Sequence, residues 1–165
     1  MFGKNTMFYR TIKDFLVKKH INKSVALGLS AVNNEPIKTI GILIDGIHFS
    51  DKDKLVNDFK KYANGQFKVN LLVYRRKAKK VESIEYPYFT KSDIGFSGSF
   101  SKGEIENFVN FPFDLLVNYY DESNANLELI TSQSKAKFKV GFASVNKDLN
   151  HFFVNTYVEK HIEFT

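Results

Sequence analysis

Five of the six residues from Arg75 to Lys80 are cationic: Arg75, Arg76, Lys77, Lys79 and Lys80, interrupted only by Ala78. Ammonium and guanidinium groups at that density suit one task above others, the neutralisation of phosphate. A second basic segment lies in residues 1–23, where Lys4, Arg10, Lys13, Lys18, Lys19 and Lys23 face the single acid Asp14. Each segment carries +5 and the whole chain only +6, so the remainder is net −4 and the positive charge is localised. A third, smaller row is Lys135, Lys137 and Lys139, which alternate with Ala136, Phe138 and Val140. That spacing sends the three lysines to one side of a strand. There they could extend a phosphate-binding surface or guard an open sheet edge against unwanted pairing.

A different chemistry is suggested by Asp45 and His48, which follow an apolar run, and by Asn118, inside another such run. Strands of a doubly wound sheet carry their ligands at the carboxyl ends. Asp45, His48 and Asn118, with the Ser/Gly-rich loop 95–101, therefore form an alternative site for a nucleotide, a sugar-nucleotide or another small polar ligand. The plainer reading is a turn at Asp45-Gly46 and a strand end at Asn118.

Other chemistries find no support. Cysteine is absent, which removes thiolate metal sites, Cys nucleophiles and any disulfide-linked partner. The four histidines, His20, His48, His151 and His161, lack zinc-ligand spacing. Gly95-Phe96-Ser97-Gly98 has neither phosphate-loop nor dinucleotide-fingerprint spacing, and no G-x-S-x-G elbow occurs. The expectation is a non-enzymatic protein with no cofactor and no metal.

The elements that position these residues follow from periodicity. Residues 7–21 place Phe8, Ile12, Phe15 and Leu16 at helical spacing, with cations elsewhere on the circumference. This basic amphipathic helix could line an RNA groove, lie on an anionic membrane surface, or pack its stripe on the domain. Residues 22–36 read as a connection. Thr39–Ile44 is an apolar run suited to a strand buried on both faces. Ser50 and Asp53 suggest a capping box opening a helix that carries Leu55, Val56, Phe59 and Tyr62. Phe67–Tyr74 is the next strand, and residues 78–102 read as irregular. Ser101 and Glu104 suggest another capping box before a helix through Val109. Phe113–Tyr119 is a strand, Leu127 and Ile130 suit a helix, and Phe138–Phe142 is a fourth strand. His151–Thr165 fits either a strand or a short helix.

Strands alternating with helices argue a Rossmann-like three-layer α/β domain over residues 37–165 with a mostly parallel sheet, preceded by the basic helix and connection of residues 1–36. No signal-peptide core and no membrane-spanning run is present, so a cytoplasmic location is expected.

Three segments, Gly41–Asp45, Phe113–Tyr120 and Ser134–Phe142, resemble a family of uncharacterised α/β proteins of AT-rich Gram-negative bacteria. The resemblance covers most of residues 38–142 and implies the fold, without an activity. The last two segments also look like the acceptor half of heptosyltransferase-like glycosyltransferases, although this chain has Asn118 where that pattern has an acid. The reading that follows from charge is an RNA-binding protein, a lineage-restricted ribosomal protein or ribosome-associated factor docking on rRNA phosphates. A membrane surface is the lesser partner.

Overall fold

A computed structural model describes residues 36–62, 67–77, 86–95 and 97–156. The basic helix expected at residues 7–21, with Arg10, Lys13, Lys18, Lys19 and Lys23, lies outside the described residues, as do Lys79, Lys80 and residues 157–165.

Six parallel strands form one sheet in the order β3-β2-β1-β4-β5-β6. They are β1 (Thr39–Asp45), β2 (Lys68–Tyr74), β3 (Tyr88–Phe89), β4 (Leu115–Tyr119), β5 (Lys139–Phe142) and β6 (Phe152–Val154). Among the described residues, three α-helices lie in the connections: α1 (Lys52–Tyr62) between β1 and β2, α2 (Gly103–Asn110) between β3 and β4, and α3 (Ala125–Gln133) between β4 and β5. This is the strand order of a Rossmann-like sheet, and every pair is parallel.

The apolar runs become central strands because both of their faces are covered. Ile40, Ile42 and Ile44 of β1 pack with Leu55, Val56 and Phe59 of α1 on one face. On the other face Leu43 and Leu116 meet Ile105, Phe108 and Val109 of α2 and Leu127 and Ile130 of α3. Burial at positions i, i+3 and i+4 fixes how α2 is rotated against the sheet.

Three expectations need adjustment, and one open alternative is decided. Neither proposed capping box forms. The Ser50 hydroxyl turns to the Asp51 carboxylate (3.4 Å), and Asp53 accepts the Tyr86 phenol hydrogen (2.8 Å). Ser101 donates to the Asp93 carbonyl (3.3 Å), and α2 starts after Lys102. The stretch expected to be irregular contains β3, too short to show a period. The ambiguous C-terminal stretch supplies β6, a strand paired with β5.

Candidate functional site

Strand order reverses between β1 and β4, so their carboxyl ends flank the place where open parallel sheets take ligands. Asp45 closes β1 there and is buried. Its Oδ1 accepts the Ile47 amide (2.9 Å) in an Asx turn, and its Oδ2 lies 3.1 Å from Nδ1 of His48. Glu122, beyond the end of β4, reaches the same imidazole nitrogen at 3.9 Å. Asp45 and His48 are thus brought together, with Glu122 as a neighbour that no short motif could have revealed.

The turn is not shaped for phosphate. A Cβ on Gly46 would lie 2.5 Å from Cγ1 of Val73 and 2.7 Å from the Tyr74 carbonyl oxygen. The glycine exists to let the chain pass close over β2, and its amide is spent on that same carbonyl (2.9 Å). The surroundings are acidic as well. Burial, and then the charges of Asp121, Asp51 and Asp58, push the Tyr119 phenol well above its ordinary value.

Asn118 takes no part in this crevice. It is fully buried in mid-sheet, beside Leu43. Its Nδ2 donates to Oδ1 of Asn150 (2.7 Å), and its Oδ1 accepts from the Thr131 hydroxyl (3.0 Å), which also contacts the Tyr120 hydroxyl (2.8 Å). The side chain expected at a strand end is an interior tie between β4, α3 and the crossover to β6.

The cationic end of the sheet lies on the β2–β3 side. Arg75 follows β2 directly and sets its guanidinium 5.3 Å from the Tyr88 ring centroid, while Nζ of Lys102 lies 4.1 Å from that centroid. Asp93 holds Lys102 at 3.1 Å. Burial works against the Asp93 charge, but the Thr90 amide and hydroxyl and Lys102 outweigh it and keep the carboxyl below its ordinary value. Arg76 and Lys77 are exposed in the following bend, and Lys91 is exposed just beyond β3. Tyr88 and Lys102 are not legible in the sequence as neighbours of Arg75, because only tertiary packing, with β3 paired to β2, brings their segments together.

The lysine row does not form. Lys135 is exposed in the loop before β5, where its amide donates to the Val109 carbonyl (2.9 Å). Lys137 binds Asp114 (2.8 Å). Lys139 opens β5, which has neighbours on both sides, and its Nζ donates to the Thr131 carbonyl (2.7 Å). Burial pulls its pKa down. Alternation in sequence suggests a strand edge, but the strand begins only at its third lysine.

Asp114 gives Lys137 a structural task and the fold a pH dependence. Burial opposes its charge, yet hydrogen bonds from Lys137, the Lys38 amide, and the Thr39 hydroxyl and amide hold the carboxyl at about 2. A carboxylate with a depressed native pKa stabilises above its unfolded value and loses that contribution as pH falls through the native one. Stability should therefore decline between about pH 4 and pH 2. Asp114→Asn should flatten that part of the curve, measured by urea unfolding at successive pH values.

The described residues of the loop 95–101, which exclude Phe96, close on their own domain: Ile94 bridges Phe100, Gly98 takes φ 75°, and Nε2 of Gln133 in α3 donates to the Gly98 carbonyl (3.1 Å). Among the described residues no group of three His, Cys, Asp or Glu could hold a metal ion, and no helix is long and apolar enough to cross a membrane. No curated protein and no solved structure matches the chain, and no likeness to heptosyltransferases is found. Residues 13–165 match the model of a family of unknown function, DUF6913, and the chain belongs to that family.

Proposed function

We propose that this protein is a non-enzymatic RNA-binding protein that grips the phosphate backbone of structured RNA, most naturally rRNA in a ribosomal or ribosome-associated role. The carrying observation is the convergence of Arg75 and Lys102 on Tyr88, with Arg76, Lys77 and Lys91 exposed in the adjoining segments. Packing against the ring pre-orders two of the cations, which lowers the entropy lost when they meet a phosphate. The acids at the ends of β1 and β4 repel RNA from the middle of the same edge, so docking is directed to the β2–β3 side. Lys79 and Lys80 add charge in sequence to this end.

The test is co-sedimentation with ribosomes, and filter binding to purified rRNA, over a series of salt concentrations. Charge reversal at Arg76, Lys77, Lys79 and Lys80 together should abolish association at moderate salt and lower the salt slope by about 0.7–0.9 for each phosphate no longer neutralised. Lys147→Glu, on the crossover leading to β6 at the opposite edge of the sheet, should bind as the parent does. Unchanged association of the multiple variant would remove the proposal.

A second reading is supported by the Asp45–His48 pair: a small-molecule site. Its acidic surroundings favour a cationic or polyhydroxyl ligand over a nucleotide. A ligand panel scored by melting temperature, with any shift lost in His48→Ala, tests it.

A further inference from the structure

Among the described residues, the outer edge of β2 is covered by β3 along its last two residues only. Val73 and Tyr74 pair with Tyr88 and Phe89. The Val73 amide donates to the Pro87 carbonyl (3.0 Å), and the Arg75 amide to the Phe89 carbonyl (2.8 Å). Pro87 ends this ladder, because it has no amide hydrogen to offer the Leu71 carbonyl. Alternation places the N–H and C=O of Val69 and Leu71 on the same outward side as those of Val73. Among the described residues, no backbone group pairs with them.

A groove of about 440 Å³ runs along this edge, with Val69 to Leu72 as its floor and Tyr86 and Pro87 at one end. One wall is α1, through Val56 and Lys60; the other is α2, through Glu104, Asn107, Phe108 and Phe111. Outward backbone donors and acceptors at strand spacing match one kind of ligand, another extended backbone. Side chains of an added strand alternate between the two walls. Apolar residues then meet Val56 on one side and Phe108 and Phe111 on the other, while the rims ask for opposite charges, an acid towards Lys60 and a base towards Glu104.

We infer that this groove takes an extended peptide segment of a protein partner, added to the sheet as a strand along Val69–Leu71. The segment has apolar residues at its centre on both faces, an acidic side chain on the α1 side and a basic one on the α2 side. Backbone pairing supplies affinity, and the two walls supply selectivity. The inference stands apart from RNA docking, which uses the carboxyl edge of the sheet, so either can fail alone.

The probe is a phage-displayed library of short random peptides, selected on the full chain, with binders synthesised and hydrogen exchange followed at individual amides. Binders should share the alternating pattern and slow exchange of the Val69 and Leu71 amides by roughly tenfold or more. Val69→Pro removes one outward donor while leaving the β1–β2 ladder paired, because that amide faces away from β1. It should weaken binding by roughly tenfold. Asn107→Trp, at an exposed position on the α2 wall, should block the groove without disturbing the core and serves if the proline variant fails to fold. Failure to select any binder, binders that leave both amides unprotected, or binding unchanged by Asn107→Trp would overturn the inference. So would protection that grows with protein concentration alone, which would assign the edge to a second copy of the chain.

Discussion

Asn118→Leu should destabilise the domain by about 2–5 kcal/mol, although it keeps the branched outline of the side chain and adds apolar surface to a core position. Asn118 lies at 0% exposure between Asn150 and Thr131, bonded to both. A leucine there leaves Oδ1 of Asn150 unpaired in the interior and takes an acceptor from Thr131, whose hydroxyl keeps only the Leu127 carbonyl (3.0 Å) and its contact with Tyr120. The second amide is already incompletely served, since Nδ2 of Asn150 has no hydrogen-bond partner among the described residues. If unpaired groups rather than shape cause the loss, Asn118→Leu/Asn150→Leu should be less damaging than the sum of the single changes. Urea unfolding of the four proteins measures this, and strict additivity would contradict the account.

Phe113→Ala should cost about 3–5 kcal/mol, or roughly 10 °C in Tm. The ring is fully buried and packs on Phe108 (5.0 Å between centroids) and Phe111 (4.6 Å). It also lies on the backbone of β1: a Cβ at Gly41 would fall 2.7 Å from its Cδ2. Gly41→Ala in the parent therefore forces that ring to move and destabilises. In the Phe113→Ala background the same methyl enters vacated space, and its penalty should shrink or change sign. Thermal unfolding of the double-mutant cycle reads this coupling, and equal penalties in both backgrounds would show that the ring does not set the requirement for glycine.

Phe113 also shows how far the sequence can be read. It stands at the head of an apolar run, and the pattern places it with that run in a strand, but the strand starts at Leu115 and Phe113 is the plug packed against the neighbouring strand. Long apolar runs bounded by polar turns identify β1, β2, β4 and β5, and the spacing of apolar residues identifies α1 and α3, whereas α2 is read from a Ser101–Glu104 capping box that does not form. A two-residue strand has no period to detect, which is why β3 is hidden. The candidate site is less legible. Asp45 and His48 are three residues apart and local turn geometry joins them, so a sequence reading can pair them. Asn118 cannot be placed without knowing which β4 residues face the crossover to β6. Lys137 and Lys139 look free in the sequence because ion pairing with Asp114 and a bond to a helix carbonyl are tertiary events.

Pairing of β1 with both β2 and β4 bears on how the chain is made. During synthesis β1, α1 and β2 emerge together and can associate, but the other side of β1, from Ile40 to Ile44, has no neighbour until Leu115 to Tyr119 leave the ribosome. Throughout that interval a nearly all-apolar strand edge is open to the wrong partner, and contacts this distant in sequence are slow to form. A pause in translation before Leu115 to Tyr119 have cleared the exit tunnel would prolong the vulnerable period, whereas one after they have emerged would fall once the centre of the sheet can close.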